Sequence, residues 1–247
     1  MVLLRQILGN YAENEADRKH DREEDITFWI PGDPATFATS GEKPWKEILA
    51  NHIPVGCDMK AFGLDMQFFL KDLAPRGHSL DIDNLCEPLF SVVINRHRWF
   101  SGRRPNINWW SASKTQSTDS GLKLTIFARP VHEVNLGEVK QTPFFNQTYT
   151  GRLPKNATDP VLSQWLESLL VDKPLNSCVI LLRFGDKKVN LGDIATGRIK
   201  ALLDGLYHLY GGTIGRPEDW RIRTLAVEKG NKELAPNSVK ITVWEAI

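Results

Sequence analysis

The stretch Ser79-Leu80-Asp81-Ile82-Asp83-Asn84-Leu85 places two aspartates between an apolar strand and an amphipathic helix. The strand is predicted over Met66–Leu70, and the helix follows the aspartates directly. The same order returns later in the chain, where the apolar segment Cys178–Leu182 leads to Leu191-Gly192-Asp193-Ile194 and then to a second helix. Because alternating strand and helix patterns recur in this order, the sequence predicts an α+β chain that contains two similar modules.

The predicted modules span residues 25–130 and 131–247, after a charged N-terminal arm over residues 1–24. The arm begins apolar and then becomes a charged run without a helical apolar stripe, which favours a solvated arm or an irregular helix. Module one opens with the strand Ile26–Ile30, and module two has no clear match to it. The predicted repeat is therefore divergent.

Composition limits the class of protein. Hydrophobic residues make up 41% of the chain and charged residues 25%, which is typical of a soluble globular protein. The formal net charge of +1 excludes a general affinity for polyanions, so any nucleic-acid surface must be a local patch. The three cysteines are far apart and indicate neither a disulfide framework nor a zinc site. With no membrane span and no secretory core in the sequence, we expect a cytoplasmic protein without a membrane partner.

Asp81 and Asp83 are the first candidate metal ligands. They alternate with Leu80 and Ile82, so an extended segment would point both carboxylates to one face. Two carboxylates that close repel each other unless a cation lies between them, and hard oxygen ligands favour Mg²⁺ or Mn²⁺. The alternative is a solvated turn in which Asp83 caps the following helix.

A second acidic set surrounds the later helix. Asp193, Lys200 and Asp204 are separated by seven and four residues, which places them on one helical face opposite an apolar stripe. A lysine beside a metal-bound phosphate can stabilise developing charge. The alternative is a surface ion pair between Lys200 and Asp204. Asp219, at the start of a later strand, is expected to bring a further carboxylate back towards Asp193.

This order of strand, Asp-rich turn, helix, acidic residue and strand resembles the RusA family of Holliday junction resolvases. The family pattern is Asp-x-Asp-Asn, a Lys three residues after the Asn, an Asp four residues after that Lys, and an acidic pair before a strand. Module one keeps Asp81, Asp83 and Asn84, but Glu87 stands in place of the Lys and Ser91 in place of the helix Asp.

Module two departs from the family pattern at different positions. It keeps Asp193, Lys200, Asp204 and the pair Glu218-Asp219. In place of the second Asp and the Asn it has Ala195-Thr196, followed by an extra glycine. Neither module therefore has the complete set of family residues.

The resemblance implies both an architecture and an activity. Each module is expected to be a two-layer unit, a mixed sheet with helices on one face, and the two are expected to pack as a pseudo-two-fold pair like a fused dimer. The implied function is binding of branched double-stranded DNA and its cleavage by Mg²⁺-dependent phosphodiester hydrolysis. The implied metal ligands are Asp81, Asp83, Asp193 and Asp219, with Lys200 as a further catalytic residue. The alternative is a catalytically degenerate DNA-binding or protein-scaffold module.

Two basic patches are candidates for contact with DNA. Arginines bind phosphates, and aromatic rings stack on unpaired bases. The first patch follows the first helix, and the alternative for it is a solvated loop with its aromatic side chains turned into the core. The residues predicted to bind DNA are Arg96, Arg98, Trp99, Arg103 and Arg104 in the first patch and Arg216 and Arg221 in a thinner second patch.

Overall fold

The structure is a computed structural model that describes residues 1–9, 25–56, 63–73, 81–99, 107–128, 132–169, 173–194 and 197–247. Its α-helices are α1 Glu42–His52, α2 Ile82–Phe90, α3 Val161–Ser168, α4 Arg198–Gly205 and α5 Tyr207–Tyr210. A π-helical turn, Ser91–Arg96, continues α2, and a 3₁₀ turn, Asp219–Arg221, precedes a central strand. The strands are β1 Val2–Leu8, β2 Ile26–Pro31, β3 Gly63–Leu70, β4 Trp109–Gln116, β5 Gly121–Phe127, β6 His132–Val139, β7 Phe145–Tyr149, β8 Cys178–Phe184, β9 Gly212–Thr213, β10 Arg216–Pro217, β11 Ile222–Lys229 and β12 Val239–Glu245.

Eight strands form one mixed sheet in the order β2-β5-β3-β4-β11-β8-β12-β7. Each half of the chain contributes four strands to this sheet, in chain order β2, β3, β4, β5 and β7, β8, β11, β12. From either edge inwards, these strands follow in the order first, fourth, second, third. The pairs β3–β4 and β8–β11 are parallel, and the remaining pairs are antiparallel, including the central pair β4–β11. The prediction of an α+β chain with a mixed sheet is confirmed, while the division at residue 130 stays a prediction.

The helices pack on one face of this sheet. Strand residues alternate between two faces, and Ile180 and Leu182 join the core beneath α2, α3 and α4. Val179 and Leu181 point the other way and pack under a two-stranded ribbon of β1 and β6. Both faces of the sheet are therefore covered over its central strands, which explains the long apolar runs there.

The N-terminal arm does not behave as expected over its first residues. Val2–Leu8 is a strand paired with β6, instead of a solvated arm or an irregular helix. Along it Leu4 and Leu8 pack towards the sheet, while Leu3 and Ile7 are 43% and 59% exposed. This alternation has a period of two, which a search for a helical stripe does not detect. The charged run from Glu13 to Glu24 lies outside the described residues.

Strand β7 occupies the edge position in the second half that β2 occupies in the first. Its sequence has no clear strand pattern, because Asn146, Gln147 and Thr148 are polar and exposed on this edge strand. Only Phe145 and Tyr149 turn inwards, and both pack on Trp165. Five residues with two apolar anchors give a weak strand pattern.

The second predicted helix, after Asp193, is present as α4 and is followed directly by the short helix α5. Leu202, Leu203 and Leu206 are fully buried, as the apolar stripe predicted. Among the described helices, none combines the length and the hydropathy that a membrane span requires.

Candidate functional site

One lysine gathers carboxylates from both halves of the chain. Lys200 Nζ lies 2.9 Å from Asp83 Oδ2, 2.9 Å from Asp219 Oδ2 and 3.1 Å from Asp204 Oδ1. Asp83 belongs to the first predicted module, whereas the other two carboxylates and the lysine belong to the second. We call Asp81, Asp83, Lys200, Asp204 and Asp219 the acidic centre.

Local structure explains how these side chains meet. Asp81 is the last extended residue before α2, and Asp83 lies in the first turn of that helix. The predicted extended segment through Asp83 is therefore wrong, because the chain becomes helical at Ile82. Neither carboxylate caps the helix, since α2 has no side-chain hydrogen bond at its N-cap. Asn84 instead donates from Nδ2 to Asp81 Oδ2 at 3.0 Å, which orients that carboxylate.

The second half supplies its members from one helix and one turn. Asp204 follows Lys200 by four residues on α4, so the two side chains lie on the same face. Asp219 begins the 3₁₀ turn that leads into β11, a central strand of the sheet. The prediction that Asp219 lies near Asp193 is wrong. Asp219 reaches the Asp81 and Asp83 turn through Lys200.

Burial sets the electrostatics of the acidic centre. Asp81, Asp83, Asp204 and Asp219 are all at most 4% exposed. Burial, and then the negative charges of Asp219 and Asp83, raise the pKa of Asp81 to about 8. Burial also raises the pKa of Asp204 to about 6, against the opposing effect of Lys200. Burial likewise raises the pKa of Asp83, again against Lys200. Asp81, Asp83 and Asp204 thus lack enough positive charge nearby to ionise easily.

Lys200 remains a cation in spite of its burial. Burial works to lower its pKa, but Asp83, Asp219 and Asp204 together outweigh that effect and raise it. Neither oxygen of Asp83 has a hydrogen-bond donor with favourable geometry, although Oδ2 lies within ion-pair distance of Lys200. A buried carboxylate oxygen without a donor is costly unless a cation compensates for it.

Lys114 is a buried neighbour of the centre that the sequence did not reveal. It lies on β4 with 4% exposure, and its Nζ donates to the Trp220 carbonyl at 2.6 Å, one residue after Asp219. Burial lowers the pKa of Lys114 to about 8, and the negative charge of Asp81 opposes this. From sequence, a lysine in an alternating strand pattern is expected to be exposed to solvent. Lys114 is buried because the turn at Asp219 and Trp220 packs against β4.

Asp193 does not join the acidic centre. It lines a cavity at the end of β8 together with the first residues of α4. Gly197 closes this loop tightly, because a Cβ there would lie 2.2 Å from the Asp193 carbonyl oxygen. The predicted grouping of Asp193 with Lys200 and Asp219 is wrong. Lys200 instead pairs with Asp83, Asp204 and Asp219.

The first basic patch is only partly as predicted. Trp99 is 3% exposed, and its indole donates to the Pro54 carbonyl at 2.7 Å. The prediction that Trp99 stacks on bases is therefore wrong, and the alternative in which it turns into the core is correct. Arg96 pairs with Glu47 at 3.1 Å, while Arg98 is exposed with a φ of 53°. Arg103 and Arg104 lie outside the described residues.

In the second patch, Arg221 is tied into the protein. Its guanidinium pairs with Glu218 at 2.6 Å, lies over the Trp220 ring at 5.3 Å and donates to the Leu175 carbonyl. These contacts give it a structural role at the β11 start. Arg216, in the short β9–β10 hairpin, is exposed.

The donor chemistry of the acidic centre suits a hard divalent cation, because all its acidic ligands are carboxylates. The geometry is dominated by the lysine. Within the described ranges, no group of three or more His, Cys, Asp or Glu side chains is arranged to hold a metal ion. A metal ion would have to compete with Lys200 for the Oδ2 atoms of Asp83 and Asp219. Oδ1 of Asp83 has no side-chain donor and is the oxygen that a metal ion would stabilise most.

Comparisons with known proteins add little. No family model and no curated protein matches the sequence. One solved structure, the cyanuric acid hydrolase from A. caulinodans, aligns over 92% of this chain and 72% of its own, with 11% identity and a TM-score of 0.21. A likeness this weak carries no argument about fold or activity.

Proposed function

We propose that this chain is a RusA-like, metal-dependent endonuclease for branched DNA that works through one composite centre. The observation that carries the proposal is the contact of Lys200 with Asp83 and Asp219, at 2.9 Å each, across the two halves. The family pattern is incomplete in each half of the sequence. Joined in space, Asp81, Asp83, Lys200, Asp204 and Asp219 supply each kind of residue in that pattern.

The proposed architecture is a fused pair of modules related by a pseudo-two-fold axis. The repeated strand order supports it, because the two sets of four strands meet through antiparallel β4 and β11. Such an axis passes between the two central strands. A cytoplasmic location, as expected from the separated cysteines, is part of the same proposal.

The residues of the centre suit phosphodiester hydrolysis. Burial raises the pKa of Asp81 to about 8, so Asp81 holds its proton near neutral pH and would release it when a divalent cation binds beside it. Lys200 keeps its positive charge and would stabilise the negative charge that develops on the phosphate oxygens. Asn84 would hold the Asp81 carboxylate in one orientation.

Asp81, Asp83 and Asp219 are the residues that would hold Mg²⁺ or Mn²⁺. Such an ion, when bound, supplies Lewis acidity that activates water and offsets charge on the phosphate. Oδ1 of Asp83, which is buried and has no contact with Lys200 or another side-chain donor, supports this role.

The alternative is a binding module that has lost catalysis. It is favoured by a specific observation, since Lys200 engages three carboxylates at ion-pair distance and so compensates part of their charge without a metal. A buried network of this kind can specify a fold alone.

Incubation of a labelled synthetic four-way junction with Mg²⁺ or Mn²⁺ tests the proposal. We expect the parent to nick the junction and Asp83→Asn to lower the rate by about 100-fold or more, as the loss of a key electrostatic group does. Asp219→Asn should act alike. Asp193→Asn is the matched control, because it removes an acid at the corresponding turn of the other half, and its rate should change by less than about threefold.

Absence of cutting by the parent in both metals, with junction binding retained, would contradict the nuclease and support the binding module. Equal loss in Asp83→Asn and Asp193→Asn would contradict the single composite centre. Isothermal titration with Mn²⁺ separates the steps, since Asp81→Asn/Asp83→Asn should lose a binding event that the parent shows.

A further inference from the structure

A large cavity with several charged side chains in its lining lies at the opposite end of α4 from Asp204. It has a volume of about 1030 Å³ and is bounded by the loop after β7, the loop after β8, the start of α4 and the residues just before β12. Of the site residues predicted from the sequence, Asp193 lines this cavity. The cavity is therefore separate from the acidic centre and from both predicted basic patches.

The cavity carries an excess of basic side chains. Its charged lining consists of Arg152, Lys155, Lys188 and Arg198 against Asp186 and Asp193. Arg152 forms a two-pronged ion pair with Asp159, at 2.6 and 3.0 Å. For the described residues, no ion pair is found for the other three basic side chains, and all three are exposed. Three cations are thus available to an anion.

Neutral groups at the rim add hydrogen-bond donors. Asn190 lines the cavity, and its Oδ1 accepts from the Gly192 N–H at 3.2 Å, which leaves its amide N–H groups to donate elsewhere. Thr150 and Asn237 also line the cavity. Amide and hydroxyl donors beside lysine and arginine are the groups that most often contact phosphate oxygens.

A corresponding cavity in the first half provides an internal comparison. It lies after β2, after β3 and before β5, the positions that match β7, β8 and β12 in the strand order. Its volume is about 500 Å³, and its charged lining is Lys71, Asp33 and Asp119. Lys71 is neutralised there by Asp33 at 2.8 Å. The excess of basic groups is therefore specific to the second half.

Helix α4 connects the basic cavity to the acidic centre. Arg198 lines the cavity, and Lys200, two residues later, contacts Asp83 and Asp219. Two residues correspond to a rise of about 3 Å along the helix axis. Side chains two residues apart point to nearly opposite sides of a helix, so the two sites lie on different sides of α4, within one helical turn of each other along its axis.

We infer that the cavity lined by Lys155, Lys188 and Arg198 binds the phosphate groups of a nucleic-acid strand, at the N-terminal end of the helix whose Lys200 belongs to the acidic centre. This inference rests on the proposed function and extends it by assigning the phosphate contacts. The acidic centre repels phosphates, so a neighbouring basic site is needed to hold the substrate. The basic cavity is the anchoring subsite, and the acidic centre is where cleavage takes place.

The test compares two double variants of the full chain that lose the same charge. Lys155→Gln/Lys188→Gln alters the basic cavity, and Lys71→Gln/Lys123→Gln alters the first-half cavity and an exposed position of β5. Fluorescence anisotropy with a labelled four-way junction in EDTA measures binding without cleavage. We expect the cavity variant to bind about tenfold more weakly and to lose roughly two units from the slope of log K against log salt. The control should change by less than about twofold.

Titration with tripolyphosphate distinguishes the site from the function. Its binding to the parent and to the control, but not to the cavity variant, supports the phosphate site. If the same proteins fail to bind the junction, the proposed DNA function is wrong and the site serves a free polyphosphate, which overturns the nucleic-acid assignment. Equal binding of both ligands by the two double variants would overturn the site itself. Thermal unfolding of each variant verifies that the exposed substitutions leave the fold intact.

Discussion

The turn at Asp81 and the turn at Asp193 occupy matching places in the strand order, yet they have different surroundings. The first turn leads into α2, where Asp81 and Asp83 are buried beside Lys200. The second opens into a cavity with an excess of basic side chains. The strand order is repeated, but the charged side chains at the two turns differ. Acidic groups collect at one turn and basic groups at the other.

The helix positions between the turns differ in the same way. Lys200 of α4 crosses to the Asp83 turn, while Glu87, which stands in place of the family lysine in α2, pairs with Lys46 of α1 at 3.4 Å. The charge reversal at this position removes the partner that a second acidic centre would need. Among the described residues, Lys200 thus connects the second half to the Asp83 turn, whereas Glu87 pairs within the first half.

The largest expected effect concerns the number of cuts. With one composite centre per chain, we predict that the parent nicks one strand of a four-way junction at least about tenfold faster than it makes a second cut, since the second turn lacks the residues for transition-state stabilisation. Denaturing gels of a junction labelled on each strand in turn measure both rates. Cuts made at equal rates in opposing strands would contradict the difference between the two turns.

The next effect concerns stability. Lys200→Met leaves Asp83, Asp204 and Asp219 without their shared cation, and removal of one partner from a buried ion pair costs about 3–5 kcal/mol. Lys46→Met is the control in the first half, where Glu42 and Glu87 are less buried, and should cost about 1 kcal/mol or less. Urea unfolding at neutral pH measures both.

The loss in Lys200→Met should shrink in acid. Asp81 and Asp204, with pKa values raised to about 8 and about 6, hold protons at low pH, so fewer negative charges remain to be compensated. A destabilisation equal to that of Lys46→Met would mean that the contacts of Lys200 contribute little to the fold.

The smallest effect is the pH dependence of a single carboxyl. The pKa of Asp81 is about 8 in the folded protein against 3.8 for the free side chain, so the folded state binds the proton more tightly. The folded state is therefore favoured at low pH, and this advantage is lost as the pH rises through 8. At high pH the folded protein must bury the ionised carboxylate of Asp81, which lowers the free energy of unfolding. Asp81→Asn removes this charge and should stabilise the protein at about pH 9 by about 1 kcal/mol or more, with little effect at about pH 4.

Thermal unfolding in EDTA at both pH values measures this difference, and about 1 kcal/mol corresponds to roughly 2–4 °C in Tm for a chain of this size. Asp193→Asn is the control at the matching turn, where the aspartate is only partly buried. Stabilisation of Asp193→Asn at high pH, or destabilisation of Asp81→Asn there, would contradict the assignment of the acidic centre to the first turn.

Much of the fold could be predicted from sequence because it depends on local periodicity. The apolar segments around Phe68 and Ile180 are long enough to mark central strands, and the stripe of Leu202, Leu203 and Leu206 marks the buried face of α4. Edge elements were missed, since β1 and β7 each bury only a few side chains and leave the rest in solvent. Their formation depends on partner strands far away in the chain.

The sequence by itself determined which residues carry charge and where each acidic turn follows its strand. Only the tertiary structure decided that Lys200 serves the Asp83 turn, that Lys114 is buried beneath Asp219, and that Asp193 faces a basic cavity. Local spacing places Lys200 with Asp204 on one helix, but the packing of α2 and α4 on the same sheet face sets its distant partners. Contacts between residues more than 100 positions apart depend on strand order, which local sequence patterns do not specify.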